Sequence, residues 1–404
     1  MRDLLPRDMA RFRVIEDVFR KCCSRYGYEE VRTPLLEHLH LFTATGTLTP
    51  SMLGKVYSFL DWDGWSGERV VLRPDGTIPV ARLYVDRMAE QEVAKLCYVA
   101  DIFAFEESGT RNRERWQCGA EFLGGSRLVA DGETISMAMD VVQRLGVEPR
   151  IQISHAGLVK ALISELKLEP EQQAGLVDRV LDGDWSGLRN AAAGFGDLNK
   201  LLQHLLTLKG RSCAFLENAK ALYRGGSERV RENLDSFIEV AALLDGLDYQ
   251  YEIDVTAMQG FEYYTGIFFQ LMAGEERIGG GGRYDDLIPM MSDKHEPACG
   301  FALYMDPLIE LLPADVGKEA ARTVLVQGNN GESTSLRRCC VLANALRRAD
   351  YTTELDLPGH RKASHEWIVS VSTGEPAAFT VVNCAGGEEK TAASVEQVLQ
   401  ILGG

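Results

Sequence analysis

The sequence has 404 residues, 45% apolar, 25% charged and 8% aromatic, enough to build the cores of two or three globular domains. No stretch approaches ~18 uninterrupted apolar residues, and the charged opening MRDLLPRDMARFRVIEDVF lacks the apolar core of a signal peptide, which excludes a membrane span and points to the cytoplasm. A net charge of −16 repels phosphate backbone, so nucleic acid is not the default partner, although a local basic patch can sit on an acidic protein.

Asp8 to Tyr26 carries Phe12, Ile15, Val18, Phe19, Cys22 and Cys23 at helical spacing, and Gly27 stops the helix. YEEVRTPLLEHLHLF reads as a strand entering a turn at Pro34. SFLDWD and RVVLRP read as a hairpin around Gly64–Gly67. Asp75–Gly76–Thr77 starts a helix, with Asp75 or Thr77 as its cap. KLCYVADIFAFEE and RWQCGAEFLGG make a second antiparallel pair, joined by the polar loop Ser108 to Glu114, and Asp131 to Leu145 is a helix. After the short strand IQISHA the texture is helical as far as Leu247: GLVKALISEL, EQQAGLVDRVL, LNKLLQHLLTL, ENAKALY and RENLDSFIEVAALLDGL. Strand signals return in YEIDVTA, FEYYTGIFFQLMA and ACGFALYM.

The pattern predicts an α+β fold on a mostly antiparallel sheet, with a core at 1–150 and 248–313 and a helical insertion at 151–247. Residues 320–404 alternate strand and helix and read as a small α/β domain after the linker ADVGKEAA. Nine cysteines without metal-ligand spacing read as reduced thiols. His155, His204, His360 and His365 are scattered and read as surface or core residues, so no metal site is expected.

The stretch that organises the chain is Met258 to Leu287. Tyr263 and Tyr264 bring aromatic faces and hydroxyls suited to a ligand pocket. Gly279 to Gly282 carry no Cβ, so backbone can come very near a flat or charged group, Gly281 being a candidate contact. Arg283 pairs either with a ligand carboxylate or with Asp285 or Glu262. In QCGAE the period of two puts Gln117, Gly119 and Glu121 on one face, as in a pocket floor.

With these motifs in order, the chain resembles the catalytic core of class II histidyl-tRNA synthetases. RPDGT at 73–77 is similar to the family's Arg-Pro-Glu-Gly-Thr, and IFAFEE at 102–107 with RWQCGAEFLGG looks like motif 2. QGFEYYTGIFFQ at 259–270 and GGGGRYDDL at 279–287 resemble its two histidine motifs, and CGFALYMDPL at 299–308 stands where motif 3 belongs. The resemblance implies a class II synthetase-like antiparallel sheet flanked by helices. It also implies that Asp75, Thr77 and Gln117 hold a histidine α-ammonium, while Glu121 and Tyr264 reach the imidazole. A carboxylate with neutral acceptors suits the first group and an acceptor suits the second.

The departures bear on chemistry. Synthetases neutralise the developing α-phosphate charge with arginines; here those positions hold Ala104, Gln259 and Pro307. Losing one such donor costs about 10²–10³ in rate. Arg111, Arg113 or Arg115 in a shifted register is the alternative source of charge. A histidine pocket without adenylation arginines resembles the regulatory subunit family of ATP phosphoribosyltransferase. That resemblance implies a non-catalytic, cofactor-free partner of a short-form catalytic subunit in histidine biosynthesis, with histidine as feedback effector and a homodimer core. A divergent histidyl-tRNA synthetase, or a synthetase-like binder of another amino acid, are the other readings. The last domain is similar to an anticodon-binding domain. Its basic groups, Arg337, Arg338, Arg347, Arg348, Arg361 and Lys362, read as a solvated face, so tRNA is not the expected partner.

Overall fold

The computed structural model describes residues 3–44, 54, 56–62, 67–104, 113–224, 227–257, 264–314, 316–317, 322–328, 333–356, 365–372, 374 and 378–403. Contacts divide the chain into two compact units, Met1–Val316 and Gly317–Gly404. Among the described residues no helix is long and apolar enough to cross a membrane.

The first unit opens with α1 (Pro6–Tyr26), β1 (Glu29–Glu30), β2 (Leu36–His38), α2 (Leu39–Ala44), β3 (Ser58–Trp62), β4 (Gly67–Leu72) and α3 (Thr77–Arg87). The hairpin β5 (Val93–Phe103) and β6 (Glu114–Gly124) follows, then α4 (Arg127–Arg144) and β7 (Arg150–His155). Six helices come next: α5 (Ala156–Ser164), α6 (Pro170–Leu181), α7 (Ser186–Ala192), α8 (Gly196–Thr207), α9 (Cys213–Leu222) and α10 (Glu228–Gly246). The chain returns through β8 (Tyr251–Ile253), β9 (Ile267–Ala273), β10 (Glu276–Arg283), α11 (Leu287–Met291), β11 (Ala298–Tyr304) and α12 (Met305–Leu311).

Eight strands form the central sheet in the order β1-β5-β6-β11-β10-β9-β7-β8. It is antiparallel from β5 to β7, with β1 and β8 added in parallel at its edges. The architecture is the α+β, antiparallel-sheet class that the alternating patterns imply. The stretch 151–247 begins with a strand of this sheet, β7, and its helices lie in the same compact unit.

Helix α1 shows why one face of the sheet is covered. Pro6 sits at its start, where no N–H partner is needed, and the Leu5 N–H donates to Asp8 Oδ2 at 3.1 Å. Phe12, Ile15, Phe19, Cys22 and Cys23 all bury. Each large apolar side chain so placed contributes about 1.5–3 kcal/mol. Gly27 ends the helix at φ 77°, a left-handed turn that a side chain would strain. The Phe19 ring meets Phe301 of β11 edge-on at 6.5 Å, and Thr134 of α4 contacts Cys299 of the same strand at 3.3 Å. Helices α1 and α4 therefore cover the face on which Phe301 and Cys299 lie.

Several elements differ from expectation. YEEVRTPLLEHLHLF supplies two short strands and α2 rather than one strand, and between the strands the carbonyls of Thr33 and Pro34 accept from Arg73 at 3.1 and 3.3 Å. Helix α4 begins at Arg127, and Gly67 already belongs to β4. Residues 64–66 of the turn expected at Gly64–Gly67 and 108–112 of the loop expected at Ser108–Glu114 lie outside the described residues, and Glu114 already belongs to β6. All nine cysteines are free thiols.

In the second unit, β12 (Thr323–Gln327), α13 (Ser333–Arg348), β13 (Thr352–Leu355), β14 (Trp367–Val371), β15 (Phe379–Asn383), β16 (Glu389–Ala392) and α14 (Val395–Gly403) build a five-stranded sheet in the order β13-β12-β14-β15-β16. Val324, Val326, Leu342, Leu346, Val369, Val381 and Val398 fill its core. Two of the arginines on α13 grip carbonyls of this unit: Arg347 donates to Thr353 O at 2.9 Å and Arg338 to Gly374 O at 3.2 Å.

Arg283 ties the sheet to α4. Its guanidinium meets Asp131 at 2.8 and 3.2 Å, Asp285 at 2.8 Å and the Arg127 carbonyl at 2.8 Å, and both Arg283 and Asp131 are buried. Asp131→Ala would leave this charge half-compensated in the core. The expected loss is about 3–5 kcal/mol in urea unfolding. A loss under about 1 kcal/mol would show that Asp285 holds the arginine alone.

Candidate functional site

The face turned away from α1 and α4 has few large side chains at its centre. Strand register sets out three rows across it. Glu121, Gly300, Gly282 and Phe268 stand side by side on β6, β11, β10 and β9. The next row is Gly119, Ala302, Gly280 and Gln270; the third begins with Gln117 and Tyr304. Registered partners share a face and alternate residues return to it, so these side chains form one floor.

Glu121 is the centre of the floor and is 1% exposed. Its carboxyl accepts hydrogen bonds from Tyr98 Oη at 3.3 Å, from Tyr284 Oη, and from the Thr77 hydroxyl. Burial pushes its pKa up to about 8; the hydroxyls of Tyr284, Thr77 and Tyr98 oppose the shift and the nearby Asp75 carboxylate adds to it. Glu121 is therefore mostly protonated at neutral pH, and can both donate and accept. It fits only because its neighbour is glycine: a Cβ on Gly300 would stand 1.7 Å from Glu121 Oε2.

Tyr98 reaches this carboxyl by occupying the space over two more glycines. A Cβ on Gly119 would meet its ring at 2.2 Å and one on Gly76 at 2.4 Å. The expected floor space beside Gly119 is thus filled by a ring from the paired strand β5. Three residues before Gly76, Arg73 is anchored to β5: its Nε donates to the Asp101 carbonyl at 2.7 Å and its guanidinium pairs with the Asp101 carboxylate. Asp75 takes the capping role open to it: its Oδ1 accepts the Ile78 N–H at 2.9 Å at the start of α3. Burial raises its pKa, against the backbone N–H groups of Ile78, Thr77 and Gly76.

Tyr264 is 5% exposed and lies over Gly282, where a Cβ would be 3.0 Å from its ring. It contacts the Phe268 ring at 5.3 Å and the Tyr284 ring at 6.5 Å. Three bonds fix this segment. Lys160 Nζ of α5 donates to Tyr264 O at 2.9 Å, Ala156 N to Gly266 O at 2.8 Å, and Thr265 N to Arg283 O at 2.7 Å. Gln117 is 7% exposed, and among the described residues its Oε1 meets no donor.

The structure thus brings together Thr77, Glu121 and Tyr264, with Asp75 and Gln117 flanking them. Gly281 and Arg283 fall on the opposite face by strand alternation. A Cβ on Gly281 would meet Gly300 O at 2.1 Å and Phe301, and Arg283 is held by Asp131 and Asp285, so the open choice for Arg283 resolves to carboxylates of the chain itself. Tyr263 and Gln259 lie outside the described residues. Sequence reasoning missed Tyr98 and Tyr284. Tyr284 was within reach, since it stands two residues beyond Gly282 and so on the same face.

Residues 1–308 match the family model of histidyl-tRNA synthetase. Across 375 residues the chain is 45% identical to an ATP phosphoribosyltransferase regulatory subunit of Dehalococcoides mccartyi, covering 92% of this chain and 90% of the relative. The chain belongs to the family of ATP phosphoribosyltransferase regulatory subunits, paralogues of histidyl-tRNA synthetase. A histidine–tRNA ligase of Methanocaldococcus jannaschii is 28% identical, covering 89% of this chain and 85% of the ligase. Among solved structures, one titled as an ATP phosphoribosyltransferase regulatory subunit/histidyl-tRNA synthetase from Bacillus halodurans superposes with a TM-score of 0.73 at 24% identity, over 90% of this chain and 93% of that one. Apo histidyl-tRNA synthetase of S. aureus gives 0.70 at 21% identity, over 100% and 98%. These two share the fold.

Against that fold, this regulatory-subunit relative has Ala104 at the end of β5 and Pro307 in α12, where the synthetase motifs carry arginine. Its buried arginines among the described residues, Arg73 and Arg283, are both engaged by carboxylates.

The raised pKa of Glu121 has a thermodynamic consequence. An ordinary glutamate titrates near 4.5, so this group's contribution to stability is full below that value and is lost as pH rises towards about 8. Glu121→Gln is neutral throughout. The stability of the variant relative to the parent is therefore expected to rise between pH 5 and 8, by about 1.4 kcal/mol per unit at most. Parallel stability–pH curves from urea unfolding would mean that Glu121 is ionised in the folded protein.

Proposed function

We propose that this chain is a non-catalytic regulatory subunit of ATP phosphoribosyltransferase that binds free histidine on the floor around Glu121. In this reading it works in the cytoplasm with a separate short-form catalytic chain, at the entry to histidine biosynthesis. The observation that carries the reading is the buried carboxyl of Glu121 with Tyr264 and Tyr284 beside it. An imidazole presents one N–H and one bare nitrogen, and a neutral carboxyl flanked by hydroxyls answers both. The orphan Oε1 of Gln117 suits an ammonium, which would satisfy a buried acceptor now without a donor.

Two further points favour binding without chemistry. Adenylate formation needs cations aimed at the phosphate, and the motif positions hold Ala104, Gln259 and Pro307. Regulation needs an element that feels the ligand. Tyr264 rests on Lys160 of α5, so occupancy of the floor bears directly on the first helix of the helical segment. Histidine that prefers one arrangement of the assembly would shift its population by that difference in affinity.

Calorimetry is expected to show histidine binding by the chain, lost on Glu121→Ala, together with histidine-dependent pyrophosphate exchange at background. Exchange clearly above background would instead make the chain a divergent histidyl-tRNA synthetase. Added to a short-form catalytic chain, the protein is expected to form a complex on gel filtration and to confer histidine inhibition. Unchanged histidine affinity in Glu121→Ala would remove Glu121 from the site.

A further inference from the structure

An amino acid gripped by its ring and its ammonium still presents a carboxylate, and Gln259 cannot offer that carboxylate a charged fork. The floor holds a guanidinium that answers this need. In β10 the register slips between Arg277 and Gly279: Gly280 faces Gln270 and Gly282 faces Phe268, while Arg277 faces Met272. Simple alternation would send Arg277, like Gly279 and Gly281, towards α1 and α4. The β-bulge at Ile278 inserts one residue and returns Arg277 to the side of Gly280 and Gly282.

Its neighbours there are specific. A Cβ on Gly280 would stand 3.0 Å from Arg277 Nη2, so the guanidinium runs over the glycine floor. Its Cζ is 5.5 Å from the centroid of the Tyr304 ring, and its Nε donates to Gly279 O at 3.4 Å. Tyr304 is the registered partner of Gln117, the 7%-exposed side chain whose Oε1 has no donor. Strands β6 and β10 are two apart, about 10 Å, which a glutamine side chain, an amino-acid backbone and an arginine side chain together bridge. A bare acceptor and a fixed cation thus stand on one floor, matching the two charges of an α-amino acid.

We propose that Arg277 anchors the carboxylate of the amino-acid ligand, with Gln117 receiving its ammonium. The proposal rests on the histidine reading of the floor. A planar guanidinium stacked on a ring presents its N–H edge to a carboxylate, which an ammonium on a flexible stem does less well.

The test compares L-histidine with L-histidinol, which keeps ring and ammonium and replaces the carboxylate with an alcohol. Both are titrated into the full-length parent, Arg277→Gln and Arg277→Lys, with far-UV circular dichroism confirming that each variant is folded. The parent is expected to prefer histidine. Arg277→Gln is expected to weaken histidine by about 10- to 100-fold, the scale of one charge-assisted hydrogen bond, with histidinol little changed. Arg277→Lys, which keeps charge and bulk against Tyr304, is expected to restore part of the preference. Unchanged histidine affinity in Arg277→Gln, or equal loss of both ligands, overturns the role of Arg277 while leaving the histidine site standing. A parent chain that binds no histidine overturns both.

Discussion

A carboxyl group sealed inside a sheet sets the terms for everything around it. Glu121 is removed from water, and three hydroxyls from three separate segments converge on it: Tyr98 of β5, Thr77 at the start of α3, and Tyr284 beyond β10. Isolated burial of such a group is costly unless its hydrogen bonds are met or it gives up its charge. Here both happen. The network also dictates where side chains are forbidden. Gly300 vacates the position of the carboxyl, and Gly76 and Gly119 vacate that of the Tyr98 ring. A cluster so closely satisfied is rigid, and rigidity is what a site needs when discrimination depends on a few hydrogen bonds.

The same sheet separates its buried ion pairing from the floor. Its helix-covered side holds the ion pair of Arg283 with Asp131, which locks strand to helix. Its other side holds the Glu121 carboxyl, the tyrosines, Gln117 and Arg277. Arg73, the other buried arginine among the described residues, ties Asp101 of β5 to the carbonyls of Thr33 and Pro34. The family shares its fold with an enzyme that handles a nucleoside triphosphate, but here buried cationic strength serves architecture. One scaffold can carry different functions, because function lives in the residues of a site and not in the fold that presents them.

Much of this was legible because a strand alternates with period two. QCGAE declared that Gln117 and Glu121 share a face, and helical spacing from Phe12 to Cys23 declared the buried stripe of α1. What strands do to each other was not legible. Gly119 looked like open floor, yet its partner in register is Tyr98, whose ring takes the space. Arg283 had two local carboxylates as candidates, and its principal partner lies 152 residues away on α4. Helix α7 (Ser186–Ala192) and strand β16 (Glu389–Ala392) are short and carry no apolar period, so only packing reveals them. The slip at Ile278 has no sequence signature in a run of glycines, and alternation counted through it assigns Arg277 to the wrong side.

That slip carries a wider implication. A strand with an extra residue behaves as a railway switch: everything before it runs on one track, everything after on the other. Were the strand to run regularly instead, with Ile278 opposite Met272, the length of the chain, its tyrosines, Gln117 and Glu121 would all stay as they are. Such a strand would turn the Arg277 guanidinium inward against greasy helices and bring Ile278 up in its stead. Among related chains, then, the residues just before the glycine run reach one face or the other according to whether the strand is bulged there, and alignments that place a gap freely within the run blur which residue stands on the floor.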